Sequence, residues 1–240
     1  MNWSDHTHVI LLLSGALLAG GGFWVSASNG RTWHIFGPAL FRGPAEGRRV
    51  ALTFDDGPTA YTEQILDTLS ARNVPATFFV CGRNVERYPY ILSRIQAEGH
   101  AIGNHSYTHP HPYFHGRAFF ASQIDRTQDA IARVTGQRPT IFRPPYGLRW
   151  FGLKSVLRER GLRVVKWSDL GYDWLKESDI VRETLKGLGP GSIIVLHDGY
   201  RDFPSEQADR SRTVRALPAI IDGAREAGLT FVPLAEFLLE

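Results

Sequence analysis

From residue 49 onward, short apolar runs alternate with segments whose apolar positions recur at helical spacing. Arg49 to Phe54 (RVALTF) predicts a buried strand ending in Asp-Asp-Gly-Pro. Tyr61 to Arg72 predicts a helix with Ile65, Leu66 and Leu69 on one stripe. Pro75 to Val80 predicts the next strand, Arg83 to Glu98 one helix stopped by Gly99, and His100 to His105 a further short strand. Gln123 to Thr135 predicts a helix closed by Gly136. Beyond it, Thr140–Arg143, Leu162–Trp167 and Ser192–His197 predict strands, the last the most apolar. Helices are expected over Phe151–Arg160 and over Ser178–Leu188, the second capped by its serine. Thr213–Ala227 predicts a helix, Thr230–Val232 a last strand and Leu234–Leu239 a last short helix.

Strands separated by helices predict parallel βα units with right-handed crossovers and helices outside. About seven such strands suit an open doubly wound sheet or an incomplete (β/α) barrel. The clusters DDGP, HSYTH, RPPYG and LHD all follow the C-terminal ends of strands. A barrel gathers those ends on one face, which favours the second arrangement. No internal repeat or low-complexity tract interrupts the pattern.

The first part of the chain differs. Residues 9–28 (VILLLSGALLAGGGFWVSAS) carry no charge and approach the length of the bilayer hydrocarbon. Residues 1–30 are therefore expected to be a signal peptide or membrane anchor, with membrane attachment through 9–28 and a body that is exported or anchored; a buried helix is the third reading. The n-region has no Lys or Arg, unlike a standard signal peptide. Arg31, Arg42, Arg48 and Arg49 follow the run instead, which the positive-inside rule taken literally would read as a cytoplasmic body. Residues 31–47, with two Gly-Pro pairs, read as a linker, and 48–240 as the catalytic unit.

Charge and cysteine content narrow the function classes. The net charge is +3, and residues 1–49 hold four basic and two acidic groups of the 27 and 24. The remaining body is nearly neutral, which argues against nucleic acid as a partner. The single cysteine, Cys81, excludes an intramolecular disulfide and a cysteine-rich zinc module, and is expected to be an inert buried thiol.

Four clusters carry candidate chemistry. In Asp55-Asp56-Gly57-Pro58, two adjacent carboxylates at a strand end point in different directions, so that one can hold a metal while the other handles a proton. His105 and His109, four residues apart, place two imidazoles on one side of a helical turn within reach of one ion, with Asp56 as a third ligand. His111 and His115, set among prolines, read as loop histidines, and His100 as a cap or packing group. In Arg143-Pro144-Pro145-Tyr146-Gly147 the prolines fix the backbone. Arg143 is then placed to orient a carboxylate such as Asp55, and the Tyr146 N–H to hold an oxyanion. Trp174, Tyr146 and Tyr172 suit stacking on sugar faces. His197 suits a general acid, and Leu196 the wall of a small pocket for a methyl group.

Together the motifs TFDDGP, HSxxH, RPPYG, DW and LHD resemble the NodB-homology polysaccharide deacetylases, carbohydrate esterase family four, over about residues 48–240. The resemblance implies a distorted, incomplete barrel of seven strands and a divalent metal. It also implies hydrolysis of acetyl groups, mostly from N-acetylglucosamine units of chitin, chitooligosaccharides or peptidoglycan, and in some members O-acetyl groups of xylan. Carried over, Asp55 matches the catalytic base, and Asp56, His105 and His109 the metal ligands. Arg143 matches the residue orienting the base, Tyr146 the oxyanion donor, His197 the general acid, Leu196 the acetate-pocket wall and Trp174 the groove aromatic. Many members read D-x-x-D-W where this chain reads Leu170-Gly171-Tyr172-Asp173-Trp174, so the Asp that bonds the motif arginine is absent. Asp173 is expected to take over or line the groove, or Arg143 to be held less firmly. Two imidazoles and one carboxylate suit Zn²⁺ better than Mg²⁺, with Co²⁺ or Mn²⁺ as alternatives. An impaired carbohydrate-binding homologue and an O-acetyl esterase or small-amide deacetylase are the rival readings. Loops 111–122 and 199–210 are where residues that distinguish substrates are expected.

Overall fold

The strand Arg49–Asp55, β1, is the axis on which the molecule is built. A computed structural model describes residues 36–200 and 209–238. In it β1 pairs in parallel with β2 (Ala76–Val80) on one side and with β7 (Ile193–His197) on the other. Beyond β2 lie β3 (Ala101–Asn104), β4 (Ile141–Phe142) and β5 (Arg163–Val164); beyond β7 lies β6 (Asp169–Leu170). The order is β5-β4-β3-β2-β1-β7-β6, and β8 (Thr230–Phe231) joins β1 at its first two residues. All these pairings are parallel, and the sheet curls into an incomplete barrel flanked by helices. The strand beyond the seven expected is the two-residue β6, too short for any periodicity to reveal.

Strand alternation sorts the core. Leu52, Phe54, Ile194 and Leu196 point outward and pack with Ile65, Leu66 and Leu69 of α1 (Ala60–Arg72) and with Leu217, Ile220 and Ile221 further along the chain. The alternate positions Ala51 and Ile193 turn inward with Phe79, Ile141 and Val165. Both faces of the central strands are therefore apolar, as a covered parallel sheet requires.

The helical segment expected over 83–98 is two helices, α2 (Gly82–Arg87) and α3 (Pro89–Ala97). Pro89 disfavours helical backbone at the residue before it, and Tyr88 sits at φ −127, ψ 55. The helix α4 (Arg117–Thr135) starts six residues earlier than its apolar stripe suggests, and ends at a left-handed Gly136. After α5 (Phe151–Arg158), α6 (Ile180–Lys186) is capped by Asp179, whose carboxylate accepts from Arg182 N–H, rather than by Ser178. Last comes α7 (Ser211–Glu226).

Residues 36–44, expected as part of a linker, are strapped to the body. Phe36 is buried, Leu40 forms a parallel bridge to Val165, and Gly43 N–H donates to the Gly191 carbonyl. Arg149 donates to the Gly37 carbonyl, and Arg42 reaches the Pro190 carbonyl and Asp169. The apolar stretch 9–28 lies outside the described residues. Among the described residues no helix is long and apolar enough to cross a membrane.

Candidate active site

Parallel pairing brings the C-terminal residues of β1 and β7 side by side, with Asp55 in register with His197. The next residue, Asp56, takes a left-handed backbone at φ 78. Asn84 of α2 donates from Nδ2 to the Asp56 carbonyl at 2.6 Å. From the other side, Asp198 accepts from Gly57 N–H and from the Thr62 hydroxyl. Gly57 is a glycine because a Cβ there would lie 2.0 Å from an Asp198 oxygen. Burial, joined by the Asp56 charge, pushes the Asp198 carboxyl up to about 7 against these bonds.

His105 and His109 follow β3, but on an irregular turn with Ser106 and His109 in the left-handed region, not on the helical turn expected. The turn still aims both rings at Asp56. His105 Nε2 and His109 Nε2 stand 3.4 and 3.5 Å from Asp56 Oδ1, and the three ligand atoms lie within 4.8 Å of one another. His105 Nδ1–H donates to the Arg143 carbonyl at 2.8 Å, which turns the Nε2 lone pair toward Asp56. Asp56 Oδ1 is buried with no hydrogen-bond partner. Three buried acceptors converging with no donor between them fit a divalent cation, and the two-imidazole, one-carboxylate set leaves positions for water or substrate. Burial pushes His109 down to about 4, so it is neutral at pH 7 and able to bind metal. For His105 burial acts in the same sense, but Asp55 and Asp56 outweigh it and raise the imidazole. Burial would raise Asp56 too, yet His109, His105 and His197 hold it well below the usual carboxylate range.

Asp55 lies beside this triad, 3.9 Å from His105 Nε2. Its other oxygen accepts from Arg143 Nη1 at 2.6 Å. Arg143 is fully buried, with its guanidinium 4.0 Å from the centre of the Phe79 ring. It also donates to the Thr53 hydroxyl and to the carbonyls of Val165 and Lys166. These bonds, with that to Asp55, hold Arg143 firmly although position 170 is a leucine. Leu170 itself lines the cavity, and Asp169 points away to Ser168 and Arg42.

Asp173 neither replaces that Asp nor lines the groove. One oxygen accepts from His197 Nδ1–H at 2.8 Å; the other accepts from His197 N–H and the Thr213 hydroxyl. The side chain is wholly buried beneath the imidazole. Burial would lower His197, but the Asp173 carboxylate raises it to about 9. Trp174, which is 44% exposed, places its ring edge-on to His197 at 5.2 Å. Tyr146 adopts φ 58 between Pro145 and Gly147, its ring 4.6 Å from His109.

Leu196 is not a pocket wall, because alternation turns it to the outer core, and it is fully buried there. The residue of β7 on the inner face with His197 is Val195. Together with Leu170, Trp167, Tyr146 and Trp174 it lines a cavity of about 380 Å³ over Asp55, Asp56, His105, His109 and His197. The two-residue period of a strand puts Val195 on the face of His197 and Thr53 on the face of Asp55, so both are legible in the sequence; Asn84 and Thr213 carry no comparable signal.

The family model for polysaccharide deacetylases matches residues 42–165. The chain belongs to this family. It is 38% identical over 197 residues to a peptidoglycan-N-acetylglucosamine deacetylase of Bacillus cereus, covering 81% of this chain and 70% of that protein. To a chitooligosaccharide deacetylase of Bradyrhizobium it is 36% identical over 199 residues, covering 79% and 90%. Among solved structures, the Bc1960 peptidoglycan N-acetylglucosamine deacetylase, in complex with 4-naphthalen-1-yl-N-oxidanyl-benzamide, superposes with a TM-score of 0.74. That likeness has 36% identity and covers 83% of this chain and 92% of the other. The incomplete barrel and the buried Asp-His-His cluster are those of a metal-dependent hydrolase of the polysaccharide deacetylase type.

Proposed function

We propose that this polysaccharide deacetylase removes acetyl groups from N-acetylglucosamine units of a glycan, peptidoglycan or chitooligosaccharide, releasing acetate. The observation that carries the reading is the buried triad Asp56, His105 and His109 flanked by a carboxylate, Asp55, and an imidazole, His197, paired with Asp173. The names of the B. cereus and Bradyrhizobium relatives support the substrate class. Asp56, His105 and His109 hold a divalent ion, Zn²⁺ by the chemistry of the donor set. When bound, such an ion supplies a Lewis acid for the acetyl oxygen and makes a nearby water more acidic.

The protein groups do the rest. Asp55, oriented by Arg143, takes the proton of the attacking water as its oxygen bonds to the acetyl carbon. The backbone N–H of Tyr146 faces the oxyanion that develops. His197, protonated at neutral pH, gives its proton to the departing amine nitrogen as the C–N bond breaks, and acetate leaves. Val195 and Leu170 supply the apolar surface for the methyl group, and Trp174 shapes the groove. The catalytic unit is residues 48–240, and residues 1–30 deliver or anchor it outside the cytoplasm, which fractionation of cells expressing the full chain would check.

The deciding experiment is acetate release by the Zn²⁺-, Co²⁺- or Mn²⁺-loaded protein from N-acetylglucosamine oligomers, peptidoglycan fragments and acetylated xylan, side by side. The Asp55→Asn variant keeps its metal content and loses about 10²- to 10⁴-fold in kcat. Turnover by that variant near the wild-type rate would sink the base assignment.

A further inference from the structure

Seven large apolar side chains are exposed among the described residues; five lie on two rim loops, and Phe119 lies in the first turn of α4, just after one of them. Tyr113, Phe114 and Phe119 follow β3; Tyr172, Trp174 and Leu175 follow β6. In the sheet order β3 and β6 lie on opposite sides of β1 and β7, whose ends carry Asp55, Asp56 and His197. The two aromatic groups therefore flank the reacting centre.

The group after β3 is tied to that centre ring by ring. His109 meets Tyr146 at 4.6 Å, Tyr146 meets His111 at 5.0 Å, and His111 meets Phe114 at 5.0 Å and Tyr113 at 5.3 Å. Phe114, at the outer end, is 78% exposed, an unusual place for a phenyl ring unless something covers it. The loop is stiffened by Pro110 and Pro112, so little ordering is needed on binding. His111 Nδ1 accepts from Tyr113 N–H, which leaves Nε2–H as the donor that faces outward from this contact. Aromatic faces beside a hydrogen-bond donor match a pyranose, which offers C–H faces and hydroxyl edges.

We propose that His111, Tyr113 and Phe114 form a platform for a neighbouring sugar of the N-acetylhexosamine chain, across the cleft from Trp174. This inference rests on the deacetylase reading and adds that the enzyme grips its glycan on both sides of the sugar it deacetylates.

The test uses the full chain loaded with Zn²⁺ and N-acetylglucosamine dimers and pentamers. In Phe114→Ala the ratio of pentamer to dimer kcat/KM falls about 3- to 10-fold, mainly through KM. In the control Tyr90→Ala, exposed but off both loops, the ratio holds. Equal losses on the two substrates, or none, would overturn the platform. Pentamer binding to an Asp55→Asn background, followed by tryptophan fluorescence, separates the two readings. Weakened binding by Phe114→Ala supports the platform even if the wild type releases no acetate, a result that would sink the deacetylase reading alone. Unchanged pentamer affinity, with lost sedimentation on phosphatidylglycerol vesicles, overturns the platform in favour of a bilayer contact.

Discussion

The Asp173 carboxylate fixes both the orientation and the charge of His197, since its two oxygens take the ring Nδ1–H and the backbone N–H of the same residue. Because the folded-state pKa of His197, about 9, lies above its unfolded value, the pair stabilises the fold fully below about pH 6.5. That contribution is lost as pH rises through 9. Activity follows the same proton, so kcat falls on the alkaline side near pH 9. In Asp173→Asn that limb moves toward neutrality, and kcat at pH 8 drops about 10- to 30-fold; pH–rate profiles of the two proteins check this. The motif residues were legible because each closes a strand with a reactive group. Which atoms they touch was not legible: Asp173 in the motif gives no sign that it serves His197, and Leu196 next to His197 faces the opposite side of the sheet.

Elements with long, regular apolar patterns were read well from the chain: β1, β2, β7, α1 and α7 lie within a few residues of expectation. The errors fall where local chemistry outranks periodicity, as at Pro89 at the start of α3, Asp179 at the start of α6, and the turn carrying His105 and His109. One junction between elements makes a stability prediction. Ala76 N–H, at the start of β2, donates to Nδ1 of His100, just before β3, and the ring stacks edge-on against Phe78. Burial lowers the His100 pKa below its ordinary value, with Glu98 opposing. Neutral His100 therefore supports the fold above about pH 6.5, and the support is lost as pH falls below that value. Protonating Nδ1 also removes the acceptor for Ala76. His100→Gln, which has no proton to gain, gives a flatter loss of melting temperature between pH 7 and 5 than the wild type, measured by thermal melts.

At the scale of the whole molecule, the strap at 36–44 joins residues after β5 to the start of β7, running between the two halves of the open barrel. A chain beginning at residue 45 melts below one beginning at residue 36, because it lacks Phe36, the Leu40 bridge and the Arg42–Asp169 ion pair. Removing the buried Phe36 alone is worth about 3 kcal/mol, read as a lower melting temperature. Composition hid this strap because its Gly-Pro pairs read as a linker.

The left-handed backbones of Asp56, Ser106, His109 and Tyr146 cluster at one rim, where each costs about 1–2 kcal/mol relative to glycine. Glycine at Asp56 or His109 would relieve that cost while deleting a metal ligand. A mutant library sorted only on heat resistance will therefore enrich glycine at these positions, and its most robust members will release no acetate. Sequencing the survivors and assaying them checks the expectation, and makes this rim a place where selection for durability and selection for chemistry pull apart.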